Sequence, residues 1–150
     1  MVLYERFVIC STNTIYQIKR ANNEERDWGE EKLVALIPGV LSLKILTVKK
    51  GKKGGLQYHH KKNECGYIFS GEMLIRFDKG DGVLSEIFLR TSDSFHFPPK
   101  SVHQEEALSD CIIVEASTPF FNDRVRVEDV YGSPTKGGLS SVKESDVIFR

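Results

Sequence analysis

The spacing Gln57-Tyr58-His59, then Glu64, then a distant His103 offers an amide oxygen, two imidazole nitrogens and a carboxylate oxygen to a single ion. Residues two apart on a strand share a face, so Gln57 and His59 point one way while Tyr58 and His60 point the other. A turn through Lys61-Lys62-Asn63 brings Glu64 back to the same point. His103, which follows Pro98-Pro99-Lys100-Ser101-Val102, closes the site. Such a mixed nitrogen and oxygen shell suits zinc first and also admits manganese, iron(II), nickel or cobalt; its imidazole content argues against a dedicated calcium site. A shell of this size leaves coordination positions open for water or substrate, as a catalytic metal requires.

Neighbouring polar residues have blander readings. His60 is structural or solvent-facing unless the strand slips by one residue, and His96, between Phe95 and Phe97, is a satisfied strand residue rather than a further ligand. Gln57 could hydrogen-bond a bound ligand instead of a metal. Lys44, Lys62 and Arg76 are candidates for phosphate or hydroxyl contacts. Lys44 and Lys62 are preferred, because a charged residue on a strand is usually a solvated face. Glu115 and Arg126 could touch substrate or pair with each other.

These groups must be positioned by strands. Short runs rich in β-branched, aromatic and leucine residues recur between turn signals, and no helical apolar period is sustained. The expected strands cover 40–48, 56–60, 67–69, 72–77, 83–89, 94–97 and 111–116. Asp78-Lys79-Gly80-Asp81-Gly82 makes a hairpin-type turn. The stretches 2–10 and 14–18 could add strands, 21–26 reads as a short helix or loop, and 132–141 has linker composition. Evenly spaced strands of this kind indicate a sandwich or barrel.

At 150 residues the chain has the size of one domain. Its 21 basic and 21 acidic residues are interspersed, which leaves no footprint for nucleic acid or an anionic membrane. The three cysteines, Cys10, Cys65 and Cys111, lack a Cys-x-x-Cys spacing and read as small buried hydrophobes. With no signal-peptide core and no apolar stretch of membrane-spanning length, the expected location is cytoplasmic.

The two blocks, with Gly71 between them, resemble the paired motifs of the cupin superfamily. The first block is similar to that of the phosphomannose isomerases, including the C-terminal isomerase domain of bifunctional enzymes that also carry a mannose-1-phosphate guanylyltransferase. There the first ligand position is characteristically glutamine, matching Gln57. The likeness extends to Asp27-Trp28-Gly29, Lys44 with Lys50-Gly51, Ile113-Val114-Glu115, and Asp123-Arg124-Val125-Arg126-Val127-Glu128-Asp129-Val130-Tyr131-Gly132. Two departures stand out. Lys62 replaces an arginine that the family uses on its substrate, and Glu64-Cys65-Gly66 replaces Glu-His-Trp.

The resemblance implies an all-β, single-domain cupin with an antiparallel jelly-roll β-barrel over 27–132, N-terminal strands or an extension over 1–26, and a linker-like tail over 133–150. It also implies a homodimer. The implied activity is that of a metal-dependent aldose–ketose isomerase acting on a sugar or sugar phosphate, mannose 6-phosphate-like. The metal would polarise the C1 carbonyl and C2 hydroxyl, and a base would carry the C2 proton to C1 through a cis-enediol. Lys44, Lys62 and Glu115 are candidates for that base, in that order, with Arg76 and Arg126 contacting substrate. An iron or nickel dioxygenase and a non-catalytic sugar-binding cupin are the alternatives.

Overall fold

The computed structural model describes residues 6–9, 15–18, 21–133 and 139–150. The strands are β1 (Arg6–Ile9), β2 (Ile15–Ile18), β3 (Asn22–Arg26), β4 (Gly29–Ile37), β5 (Leu41–Val48), β6 (Gln57–His59), β7 (Glu64–Ser70) and β8 (Glu72–Asp78). They continue with β9 (Leu84–Arg90), β10 (Ser94–Phe97), β11 (His103–Ala107), β12 (Cys111–Ser117), β13 (Phe120–Phe121), β14 (Arg124–Arg126) and β15 (Ile148–Phe149). A 3-10 turn, Glu144–Asp146, precedes β15. Among the described residues no helix is long and apolar enough to cross a membrane.

A six-stranded antiparallel sheet runs β10-β7-β12-β5-β4-β3, and a five-stranded one runs β14-β6-β11-β8-β9. The pairs β1-β2 and β13-β15 form two further small sheets. Strand alternation builds one core between the larger sheets: Leu46, Val48, Ile68, Phe97, Cys111 and Ile113 come from the first, Met73, Ile75 and Ala107 from the second. Trp28, Phe77, Leu89 and Phe95 pack around this cluster. Gly66 faces inward on β7 because nothing larger fits, since a Cβ there would lie 2.2 Å from the Phe95 ring.

The expected closed jelly-roll barrel is not what the chain builds. Among the described residues none of the sheets closes on itself, and β10 and β3, β14 and β9 are the outer members of their sheets. Closure needs a continuous hydrogen-bond ladder from edge to edge. Here β10 spans only four residues before Pro98-Pro99, which lack backbone N–H groups, and β14 spans only three. The result is an all-β, cupin-type pair of open sheets.

Other expectations are corrected locally. Residues 22–26 form a strand rather than a helix or loop, paired to β4 from Asn22↔Leu33 to Arg26↔Gly29. Cys65 is exposed, not buried, because Glu64, Gly66 and Ile68 take the inward positions of β7; Cys111 is buried, and both thiols are free. Cys10 lies outside the described residues. The segment 139–150 packs on its own chain: the Val142 N–H donates to the Arg124 carbonyl at 2.8 Å, and β15 pairs with β13.

Candidate metal centre

His59, Glu64 and His103 converge, with one ligand atom from each lying within 4.8 Å of the others. The topology explains why. His103 opens β11 and pairs in register with Gln57 on β6, so Gln57, His59 and His103 share the inward face of the five-stranded sheet. Glu64 enters from the other sheet at the start of β7, after a loop pinned by the buried Asp123. Its Oδ2 accepts the backbone N–H groups of Lys61 at 3.0 Å and Lys62 at 2.6 Å.

The orientation of His103 is fixed from two sides. Its ring stacks on Phe97, with centroids 4.0 Å apart and planes 9° from parallel, and its Nδ1 lies 3.0 Å from the Ser101 carbonyl, to which it donates. That leaves Nε2, 3.2 Å from Glu64 Oε1, buried and without a hydrogen-bond partner among the described residues. An imidazole whose far nitrogen is held by a carbonyl and whose near nitrogen faces a carboxylate is set up as a metal ligand. His59 Nε2 stands 3.5 Å from the same carboxylate oxygen. Burial lowers His59 to about 4, outweighing the opposing pull of Glu64, so the ring is neutral at physiological pH, the form that coordinates a metal. Burial also acts against charge on His103, but Glu64 and Glu105 prevail and raise it. The donor set fits one divalent ion.

A model of the cupin domain matches residues 44–117, which contain the whole triad. Residues 44–117 belong to the cupin superfamily. No curated protein matches the sequence. Among solved structures this cupin is similar to the capsular polysaccharide assembling protein CapF from Staphylococcus aureus, at 23% identity and a TM-score of 0.57 over 72% of this chain and 32% of that one. It is also similar to KdgF from Halomonas sp. (20% identity, TM-score 0.55, 64% of this chain and 84% of that one). A third is oxalate decarboxylase from Bacillus subtilis (18% identity, TM-score 0.64, 77% of this chain and 32% of that one). The cupin therefore spans about a third of the CapF and oxalate decarboxylase chains. At these identities the likeness is one of fold.

Around the triad the cupin carries a chain of buried charges. Lys62 is 8% exposed and lies between two carboxylates, 2.5 Å from Glu64 Oε2 and 3.0 Å from Glu115 Oε1. Burial works against its charge, but the flanking carboxylates override it and hold the ammonium firmly protonated. The same contact keeps Glu64 ionised despite its burial, well below the usual carboxylate range. Lys44, opposite Glu115 in the β5-β12 ladder, pairs with Glu31 at 2.7 Å, and its Nζ lies 5.8 Å from the Phe121 ring centroid. The possible Glu115–Arg126 pair is not formed: Glu115 holds Lys62, and Arg126 holds Glu128 through Nε at 2.9 Å.

Arg76 is not brought to the site. Ile75 is buried in the core, so Arg76 projects from the opposite face of β8, where it meets Glu86 at 2.8 Å, Glu106 at 2.6 Å and Gln104 at 3.2 Å. His60 donates through Nε2 to the Val142 carbonyl at 2.8 Å, and His96 meets Asn63 at 2.7 Å. Two inward residues escaped sequence reasoning, Glu105 and Arg124. Glu105 shares the face of His103 on β11, and Arg124 pairs with His59 on β14. Counting two residues on from His103, or two back from Arg126, would have found them.

Proposed function

We propose that this cupin is a metal-dependent aldose–ketose isomerase acting on a sugar or sugar phosphate, with Gln57 as the fourth ligand beside His59, Glu64 and His103. The observation that carries the reading is the triad itself, above all His103 Nε2, buried, oriented from behind and lacking any hydrogen-bond partner. Gln57 pairs in register with both His103 and Arg126, which supports its placement at the ion and beside a substrate contact. A divalent metal held here would polarise vicinal carbonyl and hydroxyl oxygens, the chemistry that isomerisation of an aldose needs.

The chain's own residues would handle the proton. Lys62 keeps its proton and orients Glu64 and Glu115; Lys44 is tied to Glu31. Glu105 faces the same interior and makes no side-chain hydrogen bond or ion pair among the described residues. It is free to take a proton at its carboxylate and return it to the neighbouring carbon. We expect Glu105→Gln to lower kcat by about 100-fold or more while zinc content stays stoichiometric, since a positioned acid–base group typically contributes 10²–10⁴-fold. Unchanged turnover would assign the proton to another group.

The direct test is metal removal. The zinc-loaded protein should interconvert mannose 6-phosphate or a related aldose with its ketose, chelation should abolish the rate, and added metal should restore it. An undiminished rate in the metal-free protein would overturn the reading. So would sugar binding without turnover in the loaded protein, or substrate-dependent oxygen uptake after iron loading.

A further inference from the structure

We infer that Arg124 is an anion-binding side chain beside the metal centre, taking the phosphate or carboxylate group of a sugar whose reacting end lies at the triad. The inference rests on the proposed sugar site for the rest of the ligand, but the anion contact can be measured without turnover. Arg124 pairs in register with His59 across the β6-β14 ladder. Directly opposed residues of an antiparallel pair project from the same face with Cβ atoms about 4.5–5.5 Å apart. The guanidinium is therefore delivered to the interior next to a metal-ligating imidazole, from the outermost strand of its sheet.

What distinguishes Arg124 is partial burial without a counter-ion among the described residues, since Arg90 and Arg150, which also lack an ion pair there, are exposed. Arg26 has Glu24 and Glu31, Arg76 has Glu86 and Glu106, and Arg126 has Glu128. The Arg124 side chain is partly buried yet makes no hydrogen bond or ion pair among the described residues. Partial burial and the nearby charges of Arg26 and Arg126 disfavour its charge, and Glu31 offsets them only in part. A partly desolvated guanidinium with cationic neighbours gains most from an incoming oxyanion, and its fork matches phosphate or carboxylate oxygens in bidentate fashion. Its backbone is anchored by the Val142 N–H on the Arg124 carbonyl, so the side chain reaches inward from a fixed strand.

Titration calorimetry on the zinc-loaded protein tests this with mannose, mannose 6-phosphate and glucuronate as probes. The wild type should bind at least one of the two anionic sugars about tenfold more tightly than mannose, as a charged hydrogen-bonded contact would give. The phosphate and the carboxylate probe together identify which oxyanion the site prefers. In Arg124→Gln the preference should fall to within about twofold while zinc affinity is unchanged. Arg90→Gln, the same charge change at an exposed position on β9, should keep it. Arg124→Lys, which retains the charge without the fork, should lie between, and it serves as the readout if Arg124→Gln loses zinc.

Absence of any anion preference overturns the inference. So does a preference that survives Arg124→Gln and Arg124→Lys, or one lost equally in Arg90→Gln. An Arg124-dependent preference in a protein that isomerises no sugar would leave this site standing and sink the isomerase. Wild-type turnover of a neutral aldose by Arg124→Gln, with no anion preference in either protein, would do the reverse.

Discussion

Replacing His103 by glutamine should cost the protein its metal, with zinc affinity falling by at least about 100-fold, since the roughly 10–16 kcal/mol of a zinc site is shared among few ligands. The side chain is 2% exposed and stacked on Phe97, and its Nε2 faces Glu64, so the ring is held in a ligating orientation that an amide cannot reproduce. Glutamine keeps most of the volume and avoids confusing a lost ligand with a cavity. A competition titration against a zinc-binding dye gives the affinity. Thermal melts with and without zinc give a second reading, because an ion that binds only the folded state raises its stability by mass action. Zinc should raise the midpoint of the wild type and leave that of the variant nearly unmoved. Retention of affinity within a few-fold would remove His103 from the shell.

The second large effect is on stability. Lys62→Met should destabilise the metal-free protein by about 3–5 kcal/mol, the usual cost of removing one partner from a buried ion pair and stranding the other. Two carboxylates are stranded here, Glu64 and Glu115. Urea unfolding measures the loss, and its pH dependence carries a sign. In the wild type Glu64 is held below the ordinary range, so it contributes stability above its unfolded value of 4.5 that is lost as the pH falls further. Without Lys62 the buried carboxylates bind protons more readily. The deficit should therefore be largest near pH 8 and shrink towards pH 4. Adding Glu115→Gln should recover part of it. A deficit under about 1 kcal/mol at neutral pH would mean that the lysine is no more than a surface pair.

The triad was legible because period-two alternation and turn positions suffice to bring His59, Glu64 and His103 to one point. Strands with apolar alternation, such as β5, β8 and β12, were legible for the same reason. The polar strands were not. β3 reads Asn-Asn-Glu-Glu-Arg and β11 reads His-Gln-Glu-Glu-Ala, so neither announces itself through hydrophobic pattern. Glu105 was missed with β11, and Arg124 with the three-residue β14, since a residue's face is known only once its strand is. Arg76 looked equivalent to Arg126 in sequence, yet lies on the far side of its sheet beside Glu86 and Glu106. Barrel closure was misread for a different reason. Local alternation says which face is buried and nothing about whether outermost strands meet.

That open arrangement has a further consequence for how the protein behaves at high concentration. Unpaired strand edges are templates on which a second chain can add, and each edge of the two large sheets is obstructed in its own way. β3 presents the charges of Glu24, Glu25 and Arg26, and β10 runs into two prolines that can donate no backbone hydrogen bond. β9 carries Glu86 and Arg90. β14 is screened by its own chain, where Val142 N–H reaches the Arg124 carbonyl and Ser141 Oγ accepts the Arg126 N–H. The short segment 139–150 thus acts as a guard against edge-to-edge aggregation.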